Sequence, residues 1–168
     1  MAALIGFDRN QLDLLLEEID QVVIANDNSS SQVVLSGSEK ALDEISNRIT
    51  SKRFLKLNVS GAFHSPFMQE PSIKFSQYLR NIKFNTPSFP VVSNYSPTLC
   101  KDPNELKIRL ENQMCNGVRW RETMDLMSEE DDLHFVEVGP SNVLSGLGKR
   151  YLKDVRISQV SNSDQVHY

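Results

Sequence analysis

The sequence has little cysteine and no long hydrophobic run. Its two cysteines, Cys100 and Cys115, are too few for a disulfide framework, and neither has potential metal ligands beside it. The longest apolar runs, at 14–16 and 22–25, are far too short to span a bilayer. No secretory signal is visible, because Met1 leads directly into the strand-like segment A-A-L-I-G. We therefore expect no metal site and no membrane association, and a reducing cytoplasm or an organelle stroma or matrix fits best.

An excess of positive charge is also missing. The chain has 18 Lys and Arg residues against 22 Asp and Glu residues, a net charge of −4, which argues against binding to nucleic acid. Basic residues nevertheless cluster at Lys52, Arg53 and Lys56 and again at 149–156. Such a cluster is either a solvated face or a docking surface for a phosphate or an acidic protein, and charge alone leaves both interpretations open.

The first part of the chain alternates between strand-like and helix-like patterns. Strands are predicted at 2–5, 22–25, 32–35 and 54–59, with a polar turn at 26–31. Helices are predicted to begin at Asp8 and Ser36, since Gln11 and Glu39 stand in capping-box position and apolar residues follow at helical spacing. The order βαββαβ indicates a ferredoxin-like arrangement.

The pattern changes after Ser60. Helices are predicted at 66–81, 103–114, 118–130 and 143–151, and short strands at 91–93, 135–138 and 155–157. Strands that alternate with helices favour a parallel α/β sheet. Because a parallel sheet needs cover on both faces, three short strands predict part of a larger layered structure.

His64 is a candidate for chemistry, because it follows a predicted strand and a Gly61-Ala62 bend at the boundary between the two parts. Clefts between subdomains are common ligand sites. The histidine is either a packed structural residue or a general base, and a base requires a nucleophile to activate.

The segment G-P-S-N-V around Ser141 comes closest to a nucleophile elbow. Val143 stands where the motif G-x-S-x-G needs glycine, and Pro140 restricts the backbone before the serine. The segment is therefore interpreted as a turn, and a hydrolase that uses Ser141 is a disfavoured alternative.

Five segments resemble, in order, the malonyl-CoA:acyl carrier protein transacylase family: M-A-A-L-I-G-F-D, A-N-D-N-S-S-S-Q-V-V-L-S-G, S-G-A-F-H-S-P-F-M, E-N-Q-M-C-N-G-V-R-W and E-V-G-P-S-N-V-L-S-G-L. The resemblance covers essentially the whole chain, but only about the last half of that enzyme. The family's G-Q-G loop, its G-H-S-L-G elbow with the nucleophilic serine and its malonyl-binding arginine do not occur here. The resemblance therefore implies a truncated or split product, or a gene product read from an internal start.

The fold that the resemblance implies is α/β. Residues 1–60 would form a complete ferredoxin-like small subdomain. Residues 61–168 would form the C-terminal part of a large, α/β-hydrolase-like acyltransferase subdomain.

The resemblance also implies a catalytic pair. His64 would act as general base, taking the proton of the family's serine during attack on the malonyl thioester and then protonating the departing CoA thiolate. The main-chain carbonyl of Gln113 would orient the ring. Phe63 would favour malonyl over methylmalonyl groups, by at most about 1–3 kcal/mol.

Binding residues follow from the same resemblance. Asn26, Asn28 and Gln32 match a turn that lines the cleft for the thioester and the pantetheine arm, although a simple hairpin turn stabilised by Asn side chains explains them as well. Lys52, Arg53 and Lys56 would dock the acidic acyl carrier protein. No cofactor is implied, since malonyl-CoA is a substrate and the carrier protein brings its own phosphopantetheine.

The leading interpretation is therefore malonyl transfer from CoA to the acyl carrier protein in fatty acid biosynthesis, by a Ser-His ping-pong mechanism. This chain would supply the histidine, and a separate N-terminal half is a possible partner. The alternatives are a non-catalytic module that binds the acyl carrier protein, or an inactive fragment.

Overall fold

A computed structural model describes residues 1–129, 132–152 and 155–165. Contacts within the chain define two compact units, Met1–Arg121 and Glu122–Tyr168. The strands are β1 (Ala2–Phe7), β2 (Val22–Ser29), β3 (Gln32–Gly37), β4 (Ser51–Lys56), β5 (His134–Val138) and β6 (Arg156–Val160). The helices are α1 (Arg9–Glu18), α2 (Glu39–Arg48), α3 (Gln69–Arg80), α4 (Pro103–Gln113), α5 (Trp120–Met127) and α6 (Val143–Tyr151). None of the helices in these described ranges is long and apolar enough to cross a membrane.

The first unit contains a four-stranded antiparallel sheet with the order β2-β3-β1-β4. Its elements follow the predicted sequence βαββαβ. The core joins apolar side chains of β1, β2 and β3 to those of α1 and α2, with Leu4, Leu12, Val33, Leu35 and Ile45 fully buried. Because each such side chain contributes about 1.5–3 kcal/mol when removed from water, this core defines the most stable part of the unit.

Both early helices have a capped N-terminus, one of them at a residue that the sequence did not indicate. Asp8 accepts a hydrogen bond from the Gln11 backbone N–H at 2.8 Å, as predicted. The predicted cap at Ser36 is wrong, because Ser36 lies inside β3 and is completely buried. Ser38 caps α2 instead, accepting from the Ala41 N–H at 3.2 Å. Pairing with β2 extends β3 to Gly37, two residues beyond its predicted end at residue 35.

Three strand boundaries also differ from the prediction. Strand β2 continues to Ser29, so the predicted turn at 26–31 is reduced to Ser30 and Ser31. Strand β1 continues through Gly6, whose φ of +65° suits glycine and whose N–H donates to the Ser31 carbonyl at 2.8 Å. Strand β4 covers Ser51–Lys56 rather than 54–59, because its pairing with β1 begins at Ser51.

The rest of the first unit contains α3 and α4, separated by an irregular segment at 81–102. The predicted helix at 66–81 begins with a short 3₁₀ turn, Pro66–Met68, before α3. The predicted strand at 91–93 is wrong, since only a single bridge joins Val91 to Cys100. Helix α4 begins at Pro103, as predicted. Asp102 caps it by accepting hydrogen bonds from the N–H groups of Asn104 and Glu105.

Helix α5 begins at Trp120, later than the predicted residue 118, because Val118 pairs with β2. The predicted end of this helix, at residue 130, lies outside the described residues.

The second unit contains a two-stranded parallel sheet. Strand β5 pairs with β6 from His134 opposite Arg156 to Val138 opposite Val160, and α6 connects the two strands. Strand β6 therefore extends past the predicted range of 155–157. Val136 and Val138 are 46% and 79% exposed, which is unusual for a parallel sheet.

Candidate active site

His64 lies in the turn between β4 and α3, with its imidazole next to the end of α4. Its Nδ1 is 2.9 Å from the main-chain oxygen of Gln113. A carbonyl oxygen only accepts hydrogen bonds, and the Gln113 side-chain nitrogen, 3.4 Å from Nδ1, donates at the shorter distance of 2.9 Å to the Asn116 carbonyl. The neutral ring therefore carries its proton on Nδ1 and has an unprotonated Nε2. This arrangement leaves Nε2 able to accept a proton from a neighbouring group.

Gln113 is the last residue of α4, and this position leaves its carbonyl available. The final carbonyls of a helix have no partner within the helix, so the His64 N–H satisfies one of them.

Hydrogen bonds from side-chain amides restrain the backbone at the C-terminal end of α4. The Gln113 side chain donates to the Asn116 carbonyl at 2.9 Å, and the Asn116 side chain donates to the Asn112 carbonyl at 2.8 Å. These bonds hold residues 112–116 in one conformation and thereby fix the carbonyl that faces His64.

The backbone of His64 has φ +57°, in the left-handed region. Non-glycine residues adopt this conformation rarely and at a cost of about 1–3 kcal/mol, and such residues concentrate at functional sites. Nothing in the sequence indicated this strain.

Phe63 precedes His64 in the same turn. Phe63 is 40% exposed, and a Cβ added at Gly61 would lie 3.5 Å from its ring. The ring is therefore accessible beside the histidine, and its role in acyl choice stays a prediction.

The predicted amide residues lie on β2 and β3 rather than on a turn. Gln32 pairs with Ile5, and Asn26 pairs with Val34, so both belong to the sheet face opposite α1 and α2. Asn28 lies between Asp27 and Ser29, where the register of the two strands is irregular.

The chain that follows Gln113 reaches the strand that carries these amides. The Val118 N–H donates to the Ala25 carbonyl at 2.7 Å, and the Asp27 N–H donates to the Val118 carbonyl at 2.9 Å. The backbone that orients His64 is thus anchored to β2 five residues later.

Asp27 forms an ion cluster that the sequence analysis missed. Its carboxylate accepts from Arg9 at 3.1 and 3.2 Å and from Arg121 at 3.1 Å, and Asp27 is only 8% exposed. Burial lowers the pKa of Arg9, but the hydrogen bond and charge of Asp27, with those of Asp13, raise it more. No local pattern signals this cluster, because Arg121 is 94 residues from Asp27.

The three basic residues predicted to dock a carrier protein do not share one face. Lys52 and Lys56 lie two residues before and after Phe54 on β4, and so on the same sheet face as Phe54. Phe54 packs against the core, on the face that α1 and α2 cover. Lys56 forms an ion pair with Asp43 of α2 at 2.6 Å. Arg53 pairs with Ile5 and so lies on the opposite face, together with Gln32. Only Arg53 thus accompanies the amide residues.

Ser141 lies on an exposed turn of the second unit, where its hydroxyl donates to Glu137 at 3.4 Å. The same carboxylate accepts from the N–H groups of Leu144 and Ser145 at the start of α6. The Ser145 side chain, these two N–H groups and the Ser141 hydroxyl lower the pKa of Glu137. The geometry is that of a capped helix end, which favours the interpretation of this segment as a turn.

The chain resembles known proteins along nearly its whole length. The acyl transferase domain family matches residues 1–165. A malonyl CoA-acyl carrier protein transacylase of Synechocystis sp. is 42% identical over 167 residues, which cover 99% of this chain and 57% of the relative.

Solved structures show the same similarity. The crystal structure of the Synechocystis sp. transacylase has a TM-score of 0.92 at 42% identity, over 97% of this chain and 56% of that one. A malonyl-transacylase in complex with a type II polyketide synthase acyl-carrier protein has a TM-score of 0.89 at 31% identity, over 97% and 55%. The chain spans about half the length of the relatives it matches.

Proposed function

The chain belongs to the acyl transferase family, and on this basis we propose that it carries the general base of a malonyl-CoA:acyl carrier protein transacylase. The observation that supports this proposal most directly is the contact of 2.9 Å between His64 Nδ1 and the Gln113 carbonyl. The contact selects the tautomer that a base needs, and it does so without a carboxylate. The pathway is fatty acid or polyketide synthesis.

The proposed reaction has two symmetrical halves. Nε2 of His64 takes the proton of a serine as the serine oxygen attacks the malonyl thioester, and then gives this proton to the departing CoA thiolate. The thiol of the carrier protein next loses its proton to Nε2 and attacks the malonyl ester, and His64 returns the proton to the serine. The sequence contains no G-H-S-L-G segment, so the serine comes from residues outside it, and the isolated chain transfers no malonyl group.

The amide residues would bind the substrate arm. Asn26, Asn28 and Gln32 offer both donors and acceptors, which suit the amides of pantetheine. Phe63, beside the base, would reject a methyl branch at the acyl α-carbon by about 1–3 kcal/mol.

The proposed partner is an acyl carrier protein, as in the related complex with a polyketide synthase carrier. Arg53 is the best placed of the three predicted docking residues, because it shares the sheet face with Gln32. Lys52 and Lys56 would contribute long-range attraction to an acidic carrier rather than contacts at the cleft.

The fold of this proposal has two parts. Residues 1–60 form a ferredoxin-like small subdomain, supported by the βαββαβ order and the strand order β2-β3-β1-β4. Residues 61–168 form the C-terminal part of the large acyltransferase subdomain.

The test is complementation. The chain is combined with the preceding half of the Synechocystis sp. relative, and malonyl transfer from CoA to a carrier protein is measured. His64→Ala should lower the rate about 10²–10⁴-fold, the usual contribution of a positioned general base. The matched control is His134→Ala, an exposed histidine of β5, which should transfer at the rate of the unaltered chain. Equal rates for His64→Ala and the control would refute the proposal.

A carrier-binding module without catalysis is the second candidate, favoured by the absence of a nucleophile motif from the sequence. The isolated chain is titrated with a holo acyl carrier protein. Binding that weakens in Arg53→Ala, together with a complemented protein that transfers nothing, would favour this candidate over the transacylase.

A further inference from the structure

Ser65 is the most buried residue of the turn that carries His64. It is 1% exposed, whereas Phe63 before it and Phe67 after it are 40% and 51% exposed. The hydrophobic effect does not explain this burial, because serine gains little from leaving water. The hydrogen bonds of the Ser65 hydroxyl do explain it.

The Ser65 hydroxyl bonds to the backbone on both sides of His64. It donates to the Ala62 carbonyl at 2.5 Å and accepts from the Phe67 N–H at 3.3 Å. The Ser65 carbonyl in turn accepts from the Met68 N–H at 3.0 Å. One buried hydroxyl therefore ties together the residue two places before the histidine and the residue three places after it.

His64 needs such a restraint. Its φ of +57° is unfavourable for a residue with a side chain, so the turn would relax towards a common conformation unless its surroundings prevent this. A relaxed turn would rotate the imidazole away from Gln113 and release Nδ1 from the carbonyl.

We infer that Ser65 is a positioning residue, whose hydroxyl holds His64 in the strained turn and thereby keeps the ring in the Nδ1–H tautomer. This inference rests on the proposed function, in which that tautomer leaves Nε2 free as base. Ser65 acts through His64 and not on the substrate.

The experiment uses the isolated chain and does not depend on catalysis. The ¹⁵N chemical shifts of the His64 ring, measured by NMR at a pH where the ring is neutral, report which nitrogen carries the proton. In the unaltered chain we expect Nδ1 at the position of a protonated nitrogen and Nε2 at that of an unprotonated one.

Three variants separate positioning from general stability. In Ser65→Ala we expect the Nδ1 and Nε2 resonances to move towards each other or to exchange places, because the ring is released. Ser65→Thr keeps the hydroxyl beside a groove of about 380 Å³ that Ser65 and Pro66 line in part, so the shifts should be those of the unaltered chain.

Ser36→Ala is the matched control. Ser36 is a completely buried serine that lines the same groove, and its hydroxyl has no hydrogen-bond partner among the described residues. Its removal should leave the His64 shifts unchanged.

In the complemented transferase, Ser65→Ala should lower kcat about 10- to 100-fold with little change in KM, the scale of a slightly misplaced catalytic group. Ser65→Thr should restore kcat.

Two results would overturn the inference. The first is a folded Ser65→Ala chain whose His64 shifts match those of the unaltered chain. The second is a Ser65→Thr chain that loses the tautomer. If Ser65→Ala does not fold, Ser65→Cys replaces it as the test variant, because a thiol fits the space but is a weak hydrogen-bond donor. Unchanged His64 shifts in a folded Ser65→Cys chain would also contradict the inference.

A third result would overturn both the inference and the proposed function. If His64 of the unaltered chain carries its proton on Nε2, the base geometry fails and there is no Nδ1–H tautomer for Ser65 to hold. An Nδ1–H that persists in Ser65→Ala removes only the role of Ser65.

Discussion

Nδ1 of His64 lies 2.9 Å from the main-chain oxygen of Gln113, a residue 49 positions later in the chain. A neutral oxygen at a helix end here fixes the tautomer of the ring, as an aspartate does in a Ser-His-Asp triad. The interaction depends on the backbone of residue 113, and no side-chain substitution removes that oxygen. Its integrity depends instead on the elements that hold α4, the turn at 62–68 and β2 together.

The Asp27 cluster should contribute strongly to the stability of the first unit. Asp27→Asn removes the carboxylate charge that pairs with both Arg9 and Arg121, and we expect a loss of about 1–3 kcal/mol, less than for a fully buried pair because both arginines are partly exposed. Urea unfolding measures the change. Asp13→Asn removes only an exposed partner of Arg9 and should cost about 0.5 kcal/mol or less. Similar losses for the two variants would contradict the importance of the cluster.

Gly117 should be intolerant of any side chain. A Cβ at this position would lie 2.6 Å from the Ile24 carbonyl oxygen, so Gly117→Ala must push residues 117–118 away from β2. We expect a loss of about 1–3 kcal/mol, and faster hydrogen exchange at the amides of Asp27 and Val118.

The control for this substitution is Gly146→Ala in α6. Apart from its own helix backbone and chain neighbours, no atom of the described residues lies within 4 Å of a Cβ there, and alanine is the better helix former. This variant should gain about 0.5–1 kcal/mol. Unchanged exchange at Asp27 and Val118 in Gly117→Ala would show that the close approach does not hold the bridge.

Glu137 should make the stability of the second unit depend on pH. Its pKa in the folded chain is lowered, so the ionised form is favoured by folding. The sign follows: this contribution is fully present above the ordinary glutamate pKa and is lost as pH falls through the lowered folded value. Thermal melting from neutral pH into the acid range should show a decline that Glu137→Gln reduces. An equal decline in the variant would assign the acid sensitivity to other groups.

Arg109 should be replaceable by no other residue type. It is 7% exposed, and its guanidinium donates to Glu105, to the Ser96 and Thr98 carbonyls and to the Thr98 hydroxyl. Arg109→Lys keeps the charge but loses this fork of donors, so we expect a loss of about 2–3 kcal/mol. Arg48→Lys, at an exposed arginine paired with Glu18 and Glu44, should leave the unfolding free energy nearly unchanged. A tolerated Arg109→Lys would show that the loop at 96–98 is held by other contacts.

Local patterns predicted the order of elements but not their boundaries. Apolar spacing and capping residues located α1, α4 and α6, because these signals act within a few residues of sequence. The ends of β1, β2 and β4 were missed, since strand length depends on the partner strand and not on the strand's own sequence.

The candidate site shows the same division. Residues such as His64, Asn26 and Gln113 were identified from short motifs that resemble those of a family. Motifs do not report which face of a sheet a side chain occupies, so the separation of Arg53 from Lys52 and Lys56 followed only from the pairing of β4 with β1.

The sequence by itself determined the family, the alternation of strands and helices and the identity of the candidate base, because these depend on residue type and short-range spacing. Tertiary structure alone decided three things: the acceptor that fixes the His64 tautomer, the left-handed turn held by Ser65 and the pairing of Asp27 with two arginines. Each joins groups that are distant in sequence or imposes a conformation that the residue itself disfavours. Such arrangements exist only in the assembled fold, where packing and hydrogen bonds together hold them.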